Sequence, residues 1–136
     1  MNREIKFRAW HKDLKKMFKI GQITLEKGIW NFEPNDRDFI GMSIPCQPSF
    51  VLMQYTGLHD KNGKEIYEGD IIRIKNSLIE IEGEVIFDTI DLSFEVYDKE
   101  NDCKEMLWYT NKEFEVIGNV FEKGILLNDG KKSKKN

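Results

Sequence analysis

The stretch QYTGLHDKNGKEIYEGD, Gln54 to Asp70, gathers carboxylates, an asparagine, glycines and lysines in one loop. Such residues can hold a calcium ion or a phosphate, and both chemistries impose strict spacing. A calcium loop of the EF-hand type needs oxygen ligands at positions 1, 3 and 5, glycine at 6 and glutamate at 12. Counted from Asp60, position 3 is Asn62, which fits. Position 5 is Lys64, position 6 is Glu65 and position 12 is Ile71, which do not. A phosphate loop needs four residues between its glycines, then lysine and a hydroxyl residue. Here five residues separate Gly57 from Gly63, and Glu65 follows Lys64. Both readings fail.

As a turn, the same residues fit. Asp60 takes the first corner position, Lys61 and Asn62 the middle, and Gly63 the fourth. That is a type I turn running into a glycine of positive φ. An aspartate at the first position accepts hydrogen bonds from the turn's own backbone. Glu68-Gly69-Asp70 makes a second corner into the strand IIRIK. Asp60, Asn62, Gly63, Gly69 and Asp70 are therefore read as structural turn residues.

Other chemistry finds little support. His11 and His59 are the only histidines, and neither has a partner at chelating spacing. They read as solvated turn residues. Cys46 and Cys103 lie far apart and read as free thiols in a reducing compartment. The glutamates of IEIEGE alternate as a solvent face would. No catalytic residue, metal ligand or cofactor site emerges, and the expectation is a protein that is not an enzyme.

A different chemistry is written into REIKFRAWHKDLKKMFK, residues 3–19. It interleaves basic residues with Phe7, Trp10 and Phe18, as single-strand nucleic-acid grooves do. Arg3, Lys6, Arg8, Trp10, Lys15 and Lys16 are the residues for such a contact, or for a protein partner. The plainer reading is a solvated hairpin whose charges discourage edge-to-edge pairing. The overall charge argues the same way. It is −3, and setting aside the four lysines of the terminal KKSKKN makes the remainder −7. Phosphate binding by the whole body would need the opposite sign.

The elements that must position these groups are strands. EIKFRAW sets Ile5, Phe7 and Ala9 against Lys6, Arg8 and Trp10; LSFEVY sets Leu92, Phe94 and Val96 against Ser93, Glu95 and Tyr97. IEIEGEVIF from Ile79 to Phe87 alternates too, and FEVIGNVF from Phe114 to Phe121 is broken at Gly118. Period two with one apolar face means half-buried antiparallel sheet. Gly83 and Gly118 mark bulges or sharp bends. Helix signals are weak, with one short turn expected over Trp108–Glu115, where Thr110 and Glu113 fit a capping box. All three prolines, Pro34, Pro45 and Pro48, fall in a connecting stretch. No apolar run is long enough to span a membrane and no signal peptide is present, so a cytoplasmic protein is expected. The organisation expected is 1–49 as an N-terminal β segment and Pro-containing loop, 50–123 as a small barrel-like domain, and 124–136 as a lysine-rich tail.

REIKFRAW at 3–10, VLMQYTGLHDKNGKEIYEGDIIRI at 51–74 and FEVIGNVFE at 114–122 together resemble the YopX family of small phage and prophage proteins. The resemblance implies a phage or prophage origin and a largely β structure with a small barrel-like C-terminal part. It implies no catalytic residues. The reading is therefore a mainly β protein, an N-terminal antiparallel sheet segment plus a bent SH3-like barrel. Its function is that of a non-enzymatic interaction module, partnered by itself as a homo-oligomer or by a phage or host protein. Single-stranded nucleic-acid binding through the basic N-terminal hairpin is the alternative.

Overall fold

The computed structural model describes residues 3–39, 41–45, 49–78, 80–107 and 113–122. Cys46, the proposed turn residues 108–112 and the tail 124–136 lie outside the described residues. The chain is mainly β and its sheets are antiparallel. The strands are β1 (Phe7–His11), β2 (Lys16–Glu26), β3 (Ile29–Pro34), β4 (Ile44–Pro45), β5 (Phe50–His59) and β6 (Glu65–Tyr67). Next come β7 (Asp70–Lys75), β8 (Glu80–Asp88), β9 (Ser93–Asp98), β10 (Cys103–Met106) and β11 (Phe114–Asn119). One sheet has the order β4-β3-β2-β1-β5-β6, and the other β10-β9-β8-β7-β11. Two compact units, Met1–Tyr55 and Thr56–Asn136, divide within β5.

In the first unit, β1 lies between β2 and β5, with Ala9 opposite both Phe18 and Leu52. Ala9, Phe18, Phe32 and Phe50 form its core. The small alanine leaves room for three phenylalanines, and Phe50 sits edge-on to both Phe18 and Phe32 at centroid distances of 6.1 and 5.9 Å. Edge-to-face contact is the geometry aromatic quadrupoles favour. The expectation that only the Ile5, Phe7 and Ala9 face is buried needs correction. Ile5 is 63% exposed, whereas Trp10, Met53 and Tyr55 on the opposite face are buried. β1 is covered on both sides, so alternation there marks two packed faces rather than one wet one.

In the second unit, β7 to β10 run as a meander and β11 returns to pair with β7. Among the described residues no pairing joins β10 to β11, and the five strands form one antiparallel sheet. Its core is Ile66, Ile72, Ile74, Val85, Val96 and Phe114. Of the two glycines singled out by sequence, only Gly118 lies at a register shift; Gly83 pairs with Ile72 in unbroken register and serves a close approach instead. In β11 the register against β7 shifts between Val116 and Gly118, a bulge with Ile117 as the extra residue. At Gly83 a Cβ would stand 2.6 Å from the Tyr97 carbonyl oxygen and 2.8 Å from Val96 Cγ1. Only glycine lets β8 approach β9 so closely. LSFEVY differs from its expected pattern, because Leu92 is exposed with φ 55 in the loop before β9, and Glu95 is buried.

Candidate functional site

The Asp60 turn is built as its residues require. Asp60 Oδ1 accepts hydrogen bonds from the backbone N–H of Asn62 at 2.8 Å and of Lys64 at 2.9 Å. Gly63 takes φ 82 and donates to the Asp60 carbonyl at 3.0 Å. One feature lay outside the reach of local reasoning: Asp60 Oδ2 accepts from Val116 N–H at 2.9 Å, on β11. The turn is thereby anchored to a strand 56 residues away. Burial alone would raise this carboxyl. The N–H groups of Val116, Lys64 and Asn62, with the charge of Lys64, outweigh it and hold the group below the usual carboxylate range. At the second corner, Gly69 has φ 82 and buried Asp70 accepts from Tyr67 N–H at 2.8 Å.

The basic residues of the N-terminal hairpin are placed less favourably for nucleic acid. Arg3 and Lys15 are exposed. Lys6 is paired with Glu4 at 3.1 Å and lies over the Tyr55 ring. Lys16 bonds Asp36 at 2.9 Å and lies over Phe18. Arg8 is half-buried. Trp10 is only 5% exposed, which removes it as a platform for stacking a base. His11 also departs from a solvated turn residue. Its Nδ1 accepts from Leu14 N–H at 3.1 Å, and its ring packs edge-on against Phe50.

Apolar surface appears instead at the tip of the β2–β3 hairpin. Lys27 and Gly28 have φ 51 and 79, the two left-handed positions of a type I′ turn. Beside that turn Leu25 pairs with Trp30, and Ile23 with Phe32. These four share one sheet face. Phe32 is in the core, but Leu25 is exposed, and Trp30 is 54% exposed. The apolar row thus continues past the edge of the core into solvent, while Ile29 is exposed on the other face.

Two charged features lie in the second unit. A half-open cleft of about 290 Å³ is lined by Lys61, Arg73, Lys75, Glu80, Glu113 and Glu115. Its charges cancel: Lys61 pairs with Glu115 at 3.4 Å, and Arg73 approaches Glu80. A balanced cleft has no net pull on phosphate. The other feature was missed in the sequence. Asp88, Asp91 and Glu95 bring carboxylate oxygens within 4.8 Å of one another at the β8–β9 hairpin. The Lys104 amine on Asp88 Oδ2, with the N–H groups of Asp91 and Ile90 on Oδ1, holds Asp88 well below the usual carboxylate range. Glu95 is pushed up by burial, by sharing with Asp91, and by the charges of Asp88 and Asp91. The spacing D-x-x-D-x-S-x-E over 88–95 was the available signal. It is not a chelating pattern until the hairpin folds. Nearby Cys103 is half-buried, and burial with Asp98, Glu105 and Asp102 pushes its thiol up, away from the activated thiolate of a nucleophile.

Two antiparallel sheets with strong corner chemistry define a small, all-antiparallel β protein. The chain belongs to the YopX protein family, whose sequence model matches residues 6–128. Protein EF1440 from Enterococcus faecalis is similar in structure, with 28% identity and a TM-score of 0.52, over 93% of this chain and 99% of that one. The protein yopX from Bacillus subtilis is similar in fold, with 21% identity and a TM-score of 0.59, over 86% and 93% of the two chains. No curated protein matches the chain. Among the described residues no helix is long and apolar enough to cross a membrane.

Proposed function

We propose that this is a non-enzymatic interaction module of phage or prophage origin that acts as a homo-oligomer in the host cytoplasm. The observation that carries the reading is the exposed Leu25–Trp30 pair. Exposed aromatic and aliphatic side chains that prolong a core face are what protein interfaces are made from. A phage or host protein could take the same surface, and no cofactor enters this reading. Light scattering across micromolar concentrations tests it. The expected result is an oligomer that the double variant Leu25→Ser/Trp30→Ser converts to a monomer with an unchanged circular dichroism spectrum. A wild-type monomer throughout that range refutes the reading.

Single-stranded nucleic-acid binding is the second reading, carried by exposed Arg3, Lys12, Lys15 and Lys19. It predicts that a labelled oligonucleotide binds at low salt, that binding weakens steeply as salt rises, and that Arg3→Ala/Lys15→Ala weakens it further. Absence of binding at low salt removes this reading.

A further inference from the structure

The acid cluster at the β8–β9 hairpin contains a buried oxygen that no N–H or hydroxyl group reaches among the described residues. Glu95 is 2% exposed, and its Oε1 accepts from Ser93 Oγ at 3.3 Å. Its Oε2 is buried without a hydrogen-bond partner among the described residues. A buried carboxylate oxygen normally has one, because leaving it bare costs the full desolvation penalty. The bare oxygen belongs to a group whose carboxylate shares a space with those of Asp88 and Asp91.

We infer that Asp88, Asp91 and Glu95 bind one hard divalent cation of the calcium type, with Glu95 Oε2 as the buried ligand. An all-oxygen set selects calcium, magnesium or manganese over softer metals. Calcium holds oxygens at about 2.3–2.6 Å, so one ion spans oxygens about 4.8 Å apart. Charge balance points the same way. Three carboxylates set against the one ammonium of Lys104 leave two negative charges, which a divalent ion neutralises. Asp88 is already oriented, since Ile90 and Asp91 N–H groups hold its Oδ1. Asp91 is exposed, which provides an entry path. Three protein carboxylates with water completing the shell place the affinity in the weak range, a dissociation constant of about 10⁻⁴–10⁻³ M.

The test is calorimetric titration of chelator-treated full-length protein with calcium chloride, repeated with magnesium chloride, with thermal unfolding followed in parallel. Saturable binding of one calcium ion is expected, with a rise in melting temperature that magnesium reproduces poorly. Glu95→Gln and Asp91→Asn each weaken calcium binding about tenfold or more, because each removes a charged ligand. Asp91 lies in an exposed loop, so that variant reports on the site even if Glu95→Gln folds poorly. Lys104→Gln tightens binding by removing the competing cation. The inference is overturned if calcium at about 10 mM, well above the expected constant, neither binds nor stabilises. It is equally overturned if both carboxylate variants bind like the wild type. Should Glu95 merely hold a shared proton, Glu95→Gln stabilises the protein and calcium has no effect, which also overturns it.

Discussion

Replacing Asp60 with alanine is expected to cost about 3 kcal/mol of folding stability, through three lost charge-assisted hydrogen bonds and the donors left behind. The side chain is buried, and all three donors are backbone N–H groups: Asn62, Lys64 and Val116. Asparagine is expected to recover only part of this loss. Its carbonyl can replace Oδ1 in the turn, but its amide then points a donor at the Val116 N–H. Urea denaturation of the wild type and both variants measures the order wild type, Asn, Ala. Equal stability of Asp60→Asn and wild type would show that the link to β11 contributes nothing.

The same carboxylate gives a pH signature. Its folded-state value lies below the ordinary one, so the unfolded chain takes up a proton first as pH falls. The Asp60 contribution is complete above the unfolded value of about 3.9 and disappears as pH falls through the lower folded value. Wild type should therefore lose stability below about pH 4 more steeply than Asp60→Asn. Other lowered carboxylates, such as Asp36 and Asp98, titrate in both proteins. The difference between the two curves isolates Asp60. Parallel curves would disprove the assignment.

Gly83→Ala is the second large effect, expected at about 2–3 kcal/mol, in the upper range for overpacking. The added methyl meets the Tyr97 carbonyl carbon at 2.7 Å and its oxygen at 2.6 Å. Both are backbone atoms of β9, so relief requires opening the β8–β9 ladder rather than turning a side chain. Gly21→Ala is the control. There the new carbon stands 3.6 Å from the Glu33 oxygen and 3.7 Å from Asn35 Cβ, ordinary contacts. It should change stability by no more than about 1 kcal/mol, and a gain is expected from the stiffer unfolded chain. Chemical denaturation midpoints compare the two. If Gly83→Ala behaves like Gly21→Ala, the close approach at Gly83 is not a constraint.

Much of the fold was legible because its signals are local. Period-two patterns in residues 79–87 and 114–121 correspond to β8 and β11. The glycine at 118 marked a bulge, and Asp60 with Gly63 marked a turn whose geometry depends on four neighbouring residues. Trp10 was misplaced because alternation reports two faces but not which is wet. With β2 and β5 on either side and both faces covered, the tryptophan packs inside.

The amino-acid order alone determined the strands β1, β7, β8, β9 and β11, the corners at Asp60–Gly63 and Gly69–Asp70, and the family. Each depends on backbone preferences and side-chain alternation over a few residues. Tertiary structure alone decided three other things. It buried Trp10, it carried Asp60 Oδ2 to Val116, and it brought Asp88, Asp91 and Glu95 together beside Lys104. The burial of Trp10 and the Asp60–Val116 bond need strands distant in sequence, and the acids meet only once the β8–β9 hairpin closes. For that reason the QYTGLHDKNGKEIYEGD loop, which looked most like an ion site, is a turn. The acids with a bare buried oxygen lie in a hairpin that looked ordinary.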